Sequence, residues 1–445
     1  MSVSDAIVIG GGLAGCEASW QIARRGFRVT LFEMRPAKMT PAHQTGYLSE
    51  LVCSNSLGSN LPDRAPGLLK TELRLLRSLI IACADATSVP AGGALAVDRE
   101  AFARRVTEQI ESHPLIEVRR EEVTHLQEDG RLKIIATGPL TSDSLADQIA
   151  AVTGRGRLYF YDAMAPIVYK DSIDFSKVFG AARYGRGGDD YINCPMNREE
   201  YDCFVEALVT AETIPLRDFE QTEKRFFEAC LPVEVIASRG HNALAYGPLR
   251  PVGLIDPRTG RRPWAVVQLR QDNRAGTLYN IVGFQTNLRW DEQQRVFRLI
   301  PGLEKAEFAR FGQMHRNTFI DSPRLLEPTM QLKGNPALFF AGQIVGMEGY
   351  VASTASGLVA GINVARRLGE LAPIVFPPTT MLGALCEYVT CDRLTDFQPM
   401  KPNYGLLPGF SSPVHKSNRN QALSKRAIDD MADFIARNLL DQVDF

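Results

Sequence analysis

The sequence predicts an α/β protein: a parallel sheet that carries a nucleotide-binding turn, with a mixed α/β region inserted into it. Three observations predict this. Residues 5–33, DAIVIGGGLAGCEASWQIARRGFRVTLFE, read as strand, glycine turn, helix, strand and terminal acid. Two further short apolar strands, LKIIATG at 132–138 and ALFFAG at 337–342, end in the same small-residue manner but lie far apart in the chain. Between them, from about Tyr159 to Gln331, strand-like pieces alternate with helices under heavy Pro and Gly punctuation.

The first strand, residues 6–9, is a compact apolar run, too short for an amphipathic helix and suited to a buried parallel position. Gly10, Gly12 and Gly15 follow at Gly-x-Gly-x-x-Gly spacing. Gly10 makes the tight turn, Gly12 clears the approach of a pyrophosphate, and Gly15 lets the helix pack on the strand. Gly11, Leu13 and Ala14 complete a loop whose free N–H groups and helix dipole receive phosphates. Glu33, at the end of the second strand, is placed to accept hydrogen bonds from a ribose hydroxyl. Together these are a Rossmann-type dinucleotide site.

Distant segments select the dinucleotide. LKIIATG runs into Ala136-Thr137-Gly138, a small-residue pass beside the cofactor. After Gly342 comes QIVGMEGYVASTASGLVAGINVARRL, a loop punctuated by Gly346 and Gly349 and then a small-residue helix from about Ser353. This resembles the late segment of glutathione-reductase-like flavoproteins, where a helix N-terminus faces the flavin. The resemblance implies a glutathione-reductase-type FAD-binding Rossmann domain with an inserted mixed α/β domain. No second complete glycine motif exists, since Asp190 occupies its third position. The expected cofactor is therefore FAD, held by residues 10–15, Glu33, Gly342, Gly346 and Gly349, and NAD(P)H visits without a Rossmann domain of its own. The expected organisation is an FAD domain over 1–158, an insertion over 159–331, the returning FAD part over 332–371, and a C-terminal helical segment over 372–445.

Bulk composition excludes several classes. The chain has 445 residues, 45% hydrophobic and 23% charged, an ordinary soluble balance. No apolar run approaches the ~18 residues of a membrane span. With Asp5 opening the first strand there is no signal peptide, so a cytoplasmic location is expected. Eight cysteines in such a chain point to free thiols. Cys386 and Cys391, the closest pair, lack paired CxxC spacing, so no metal is expected. The net charge of −1 hides an uneven distribution. Between Arg239 and Arg274 lie Arg250, Arg258, Arg261, Arg262 and Arg270, against only Asp256 and Asp272. A second basic cluster holds His415, Lys416, Arg419, Lys425 and Arg426. A solvated face explains such clusters as well as an RNA surface does.

Along the chain, the polar stretch 34–66 is long enough to be functional. Residues 67–83 read as one amphipathic helix, 89–97 as a strand and turn, and Asp98 as the cap of a helix over 99–112. Two strands and a turn at Asp129-Gly130 lead into the Ala-Thr-Gly segment. Helices are expected over 141–151, 198–211 and 221–229.

Two cysteines stand out. Cys53 lies in LSELVCSNSLGSN, a turn of small polar residues, and Cys230 in RFFEACLPVEVIASRG, at the end of an expected helix. A helix C-terminus raises a thiol's pKa, so activation of Cys230 must come from elsewhere in the fold. Cys16, Cys83, Cys203 and Cys386 read as small buried hydrophobes.

Stretches such as LFEMRPAKMTPAHQTGYLSELVCSNSLGSN (31–60), FFEACLPVEV (226–235), YGPLRPVGLIDPRTG (246–260) and AGQIVGMEGYVASTASGLVAGIN (341–363) carry a specific resemblance. The chain resembles the bacterial folate- and FAD-dependent tRNA uracil-5-methyltransferases, from the N-terminus to about Pro402. The resemblance implies that 5,10-methylenetetrahydrofolate supplies a carbon to the T-loop uridine of tRNA, position 54, with FAD reduced by NAD(P)H. It also implies that Cys230 adds to uracil carbon-6 and that Cys53 is a second catalytic thiol, in a base or adduct role. The inserted arginines become phosphate contacts. The rival readings are a wobble-uridine-modifying flavoprotein, an NAD(P)H flavin oxidoreductase that does not act on RNA, and a non-catalytic RNA-binding flavoprotein.

Overall fold

The computed structural model describes residues 5–127, 129–154, 158–185, 188–214, 231–394, 397–410 and 414–440. Its first sheet orders six strands as Gln331–Leu332, Asn335–Phe340, Leu132–Ile135, Ala6–Ile9, Val29–Phe32 and Ile116–Arg119. Ala6–Ile9 pairs in parallel with strands on both sides, Val8 lying opposite Leu31 and Ile134. The other pairs are parallel too, except for the edge hairpin that Gln331–Leu332 forms with Asn335–Phe340. Burial on both faces explains why Ala6–Ile9 is apolar at every position and does not alternate.

The strand Asn335–Phe340 completes a sheet whose neighbouring strand ends at Ile135, so the chain leaves this layer and returns. Leu158–Ala163 and Met314–Phe319 run antiparallel to each other. Between them in sequence lies a second six-stranded sheet, antiparallel throughout. Its order is Phe179–Gly180, Tyr191–Met196, Ala265–Gln271, Leu278–Ile281, Ile167–Tyr169 and Phe308–Arg310. It has a core of its own, built around Val168, Phe204, Val267, Phe284 and Phe297. The expected mixed α/β class is the class adopted.

Two helices set the geometry of the nucleotide end. Leu13–Ala23 packs against Tyr350–Leu368, which starts three residues before the expected Ser353. Their approach is closer than side chains permit: a Cβ at Gly357 would stand 2.2 Å from the Ala14 carbonyl oxygen, and one at Gly361 2.6 Å from that of Ala18. Farther on, Met381–Thr390 docks through its N-terminus, where Met381 and Leu382 each donate a 2.8 Å hydrogen bond to the fully buried Glu72.

Several local expectations change. Residues 67–83 are not one helix but parts of two, Ala65–Leu75 and Leu79–Ala86. Arg77 takes a φ of 55° at the break, and the Ser78 hydroxyl accepts from the Ile81 N–H (3.3 Å), so a capping serine restarts the helix. The strands that precede Ala136-Thr137-Gly138 are Ile116–Arg119 and Leu132–Ile135. Asp98 caps Arg99–Glu111 as expected, accepting from Ala101 at 2.9 Å. The helix near 141 spans Asp143–Thr153. Residues 221–229 and Cys230 lie outside the described residues. Among those described, no helix is long and apolar enough to cross a membrane.

Candidate functional site

The glycine turn divides its work as the spacing demands. Gly10 holds a φ of +106°, and a Cβ there would meet the Ala136 carbonyl oxygen at 2.5 Å. A Cβ on Gly15 would stand 1.8 Å from the Gly10 carbonyl oxygen, so helix and turn touch backbone to backbone. Gly12 differs: its missing Cβ would meet nothing within 4 Å. It caps the first helix and lines a cavity with Gly10, Leu13, Ala14, Gly342 and Gln343. Open space beside helix N–H groups suits a pyrophosphate.

Glu33 is buried at the rim of that cavity. One of its carboxylate oxygens accepts from the Gly11 N–H (2.9 Å), and the other accepts from the Arg35 N–H (3.0 Å) and Nε (2.8 Å). Burial opposes its charge, but Arg35 and the Gly11 amide outweigh burial and hold the carboxyl below its usual range. The acid expected to receive a ribose hydroxyl thus first organises the glycine turn. Acceptor capacity remains on the oxygen facing Gly11.

The polar stretch after Glu33 folds over the same cavity, contributing Arg35, Thr40, His43 and Glu50. The Thr40 hydroxyl lies 2.6 Å from His43 Nδ1. Burial, and then the Arg35 charge, push His43 down to about 4. Glu50 ties the loop together by accepting from Gln44 and Thr45 N–H groups, each at 2.9 Å.

A second cavity adjoins the first. They share Val52, Pro139, Leu140, Gln343 and Tyr350. The second is lined further by Cys53, Met164, Gln285, Glu348 and Lys401. Cys53 is half-buried at its wall. The Tyr350 hydroxyl, at the first turn of the late helix, accepts from the Cys53 N–H at 2.8 Å and the Ser54 N–H at 3.1 Å. Burial and the neighbouring thiol keep the Tyr350 phenol protonated, well above the usual tyrosine value.

The inserted sheet holds the same loop from the other side. Arg270 is 6% exposed and donates to the Asn55 side-chain oxygen and the Ser54 hydroxyl, each at 2.9 Å. The Asn55 amide in turn donates to the Gln271 carbonyl (2.9 Å). Arg99 bridges Asp272 (2.9 Å) and the Leu51 carbonyl (2.5 Å). Below the loop, fully buried Lys70 donates to the Leu57 carbonyl (2.8 Å), and burial pushes it down to about 7. The Cys53 loop is therefore fixed from three directions.

Comparison with known proteins follows the same lines. Residues 5–372 match the family model of glucose inhibited division protein A. The chain is 61% identical to the methylenetetrahydrofolate–tRNA-(uracil-5-)-methyltransferase TrmFO of Pelotomaculum thermopropionicum, covering 96% of this chain and 97% of that protein. The chain belongs to the TrmFO family. Other members agree: identity is 60% to TrmFO of Geobacter sulfurreducens, over 96% of this chain and 98% of that one. It is 56% to TrmFO of Listeria innocua, over 95% and 96%. Among solved structures, Aquifex aeolicus GidA superposes with a TM-score of 0.69 at 17% identity, covering 99% of this chain and 75% of that one. That likeness speaks for the fold.

Set against this family's chemistry, the expected site residues divide. Gly10, Gly12, Leu13, Ala14, Glu33 and Gly342 line the first cavity, and Gly349 and Cys53 the second. Gly11 faces away, its absent Cβ directed at Leu48 (2.6 Å), and acts through its N–H on Glu33. Gly346 lines neither cavity; it turns the chain beneath Phe397, which a Cβ would meet at 2.4 Å. Arg270, grouped by sequence with phosphate-binding arginines, is buried under the Cys53 loop, and Asp272 belongs to Arg99. Cys203, expected in the core, is exposed, whereas Cys16, Cys83 and Cys386 are buried. None of the described cysteines forms a disulfide, and no described cluster of His, Cys, Asp and Glu could hold a metal ion. Sequence reasoning passed over Arg35, His43, Tyr350 and Lys401. Only Tyr350 carried a signal, as an aromatic residue placed directly after Gly349 at a helix start.

Proposed function

We propose that this chain is a tRNA uracil-5-methyltransferase that acts on the T-loop uridine, position 54. FAD occupies the first cavity, 5,10-methylenetetrahydrofolate the second, and NAD(P)H supplies electrons. The observation that carries this reading is the continuity of the two cavities at Tyr350, with a phosphate-binding turn in one and Cys53 in the other. The residues fit the cofactor, because Gly12 presents open space where a phosphate must approach. When bound, FAD supplies the electron pair that reduces a transferred methylene to methyl.

The remaining chemistry belongs to the side chains. Uracil carbon-5 is a poor nucleophile until a thiolate adds to carbon-6, which requires a cysteine. The S–C6 bond forms as the C5=C6 electron pair moves into an enolate, and carbon-5 then bonds to the donated carbon. A base takes the carbon-5 proton as the donated carbon parts from its donor nitrogen, which keeps the bonding pair. The exocyclic methylene would then accept a hydride equivalent from the reduced cofactor, and the resulting enolate expels the thiolate. We assign the addition to Cys230 and the base or adduct role to Cys53. Val233, near Cys230 in sequence, donates to the carbonyl of Gln285 (2.7 Å), and Gln285 lines the second cavity. Tyr350 and Arg270 keep Cys53 at that wall.

A tRNA bearing 5-fluorouridine at position 54 tests the assignment, because fluorine cannot leave as a proton. The wild type should form a covalent protein–RNA complex, and Cys230→Ala should lose both the complex and methylation while retaining its flavin. A complex that persists in Cys230→Ala and vanishes in Cys53→Ala reverses the roles. Tracing the methylated position by nucleoside mass spectrometry separates this reading from a wobble-uridine enzyme.

A further inference from the structure

The arginine-rich stretch of the inserted region is sorted by the structure. Arg270 is buried and Arg258 is pinned to Asp256 at 2.8 Å. Arg250, Arg261 and Arg262 remain exposed. Asp256, the one acid between Arg239 and Trp264, is 4% exposed, so it does not face solvent as a charge. The same connection, from the short helix Ala243–Tyr246 to the strand Ala265–Gln271, exposes large apolar groups. Tyr246 is 84% exposed, Ile255 59% and Trp264 39%. The Arg198 guanidinium lies over the Trp264 ring at 5.1 Å. Tyr184 joins them at 61% exposure, held at a φ of 59° with its ring against Gly253. Large apolar groups left exposed this often along one connection mark an interaction surface.

The connection is tied to the second cavity through Pro248. Pro248, two residues after Tyr246, packs so tightly on Gly283 that a Cβ there would lie 2.9 Å away. Two residues beyond Gly283 is Gln285, a wall of the cavity that holds Cys53. Arginines that contact phosphates, interleaved with aromatic rings on which unpaired bases stack, are the means by which proteins hold single-stranded and looped RNA. We infer that the surface from Tyr246 to Trp264 is the RNA-docking face. Arg250, Arg261 and Arg262 hold the phosphates, and Tyr246 stacks on an unpaired base. This deepens the tRNA reading above and rests on it. Arg258, engaged with Asp256, is a spectator.

The test uses the full-length flavoprotein and an unmodified tRNA transcript. Tyr246→Ala should weaken tRNA binding by about tenfold, and Tyr246→Phe should restore it, because stacking needs the ring and not the hydroxyl. Arg261→Ala combined with Arg262→Ala should lower the slope of log affinity against log salt by about one per lost contact. Flavin content and melting temperature should stay at wild-type values in every variant, since these side chains are exposed. A wild type that binds no tRNA overturns both this inference and the functional reading. A wild type that binds and methylates tRNA, with all these variants unchanged in affinity, overturns this inference alone. Variants that lose self-association in sedimentation but keep tRNA affinity assign the face to a second copy of the chain, and also overturn it.

Discussion

Replacing Gly12 by leucine should remove the cofactor and leave the protein standing. Gly12 has a φ of −79° and a ψ of −171°, a conformation open to any residue, and its Cβ would enter open space. The empty protein therefore loses only cap preference at the helix start, about 1 kcal/mol at most. The leucine side chain would occupy the volume in which we place the pyrophosphate. A ligand at a hundredfold excess over its Kd stabilises the folded state by ~2.7 kcal/mol, and the variant should forfeit that increment. Gly15→Ala is the contrast. Its Cβ would begin 1.8 Å from the Gly10 carbonyl oxygen, so helix and turn must separate by more than an ångström before contact is tolerable. Overpacking of this kind costs ~1–3 kcal/mol or more, and it should appear with or without added FAD. The assay is visible flavin absorbance per protein, with melting curves recorded with and without FAD. A Gly12→Leu protein that keeps full flavin and the wild-type shift with FAD refutes the placement of the phosphates.

Three further outcomes are expected. Gly357→Ala, whose Cβ would lie 2.2 Å from the Ala14 carbonyl oxygen, should push the two helices apart and cost ~1–3 kcal/mol with partial flavin loss; melting and absorbance check it. Arg270→Met removes the donors to Asn55 and Ser54 but also relieves a buried charge, so a net loss of ~2–3 kcal/mol is expected, with methyl transfer falling at least tenfold while flavin is retained. Unchanged turnover in that variant would detach the inserted sheet from the Cys53 loop. His43, near 4 when folded and near ~6.5 when unfolded, makes the unfolded chain bind more protons between those values. Stability should therefore fall as pH drops through that window, and His43→Gln should flatten the fall in a series of melts; equal slopes in both proteins would remove His43 from the account.

The nucleotide end was legible because its signals are local. Strand, glycines, helix and acid lie within residues 5–33, and each glycine can be assigned by what its missing Cβ would strike. The return strand Asn335–Phe340 and the late helix were legible from composition, since parallel strands and a small-residue helix face read as such in any context. The supports of Cys53 were not. Arg270 and Arg258 look alike in sequence, yet one is buried under the Cys53 loop and the other sits beside Asp256, because tertiary partners decide which charge is solvated. Asp272, counted against nearby arginines, pairs with Arg99 from another layer. The broken helix at Arg77 and Ser78 shows the same limit at short range, where leucine periodicity concealed a cap.

The anchoring of Cys53 has a consequence for how the chain matures. Its amide pairs with Tyr350 across 297 positions, and the hydroxyl of Ser54 pairs with Arg270 across 216. Contacts this distant form only after most of the polypeptide exists. At a synthesis rate of ~5–20 residues per second, roughly 15–60 s separate the appearance of the thiol from that of the tyrosine that fixes it. The glycine turn meets Ala136 while the chain is still short, whereas the Cys53 loop waits for the late helix. A nascent or truncated chain that ends before Tyr350 would thus carry the thiol without the hydroxyl that holds its loop, which ties the fixing of that loop to the progress of translation.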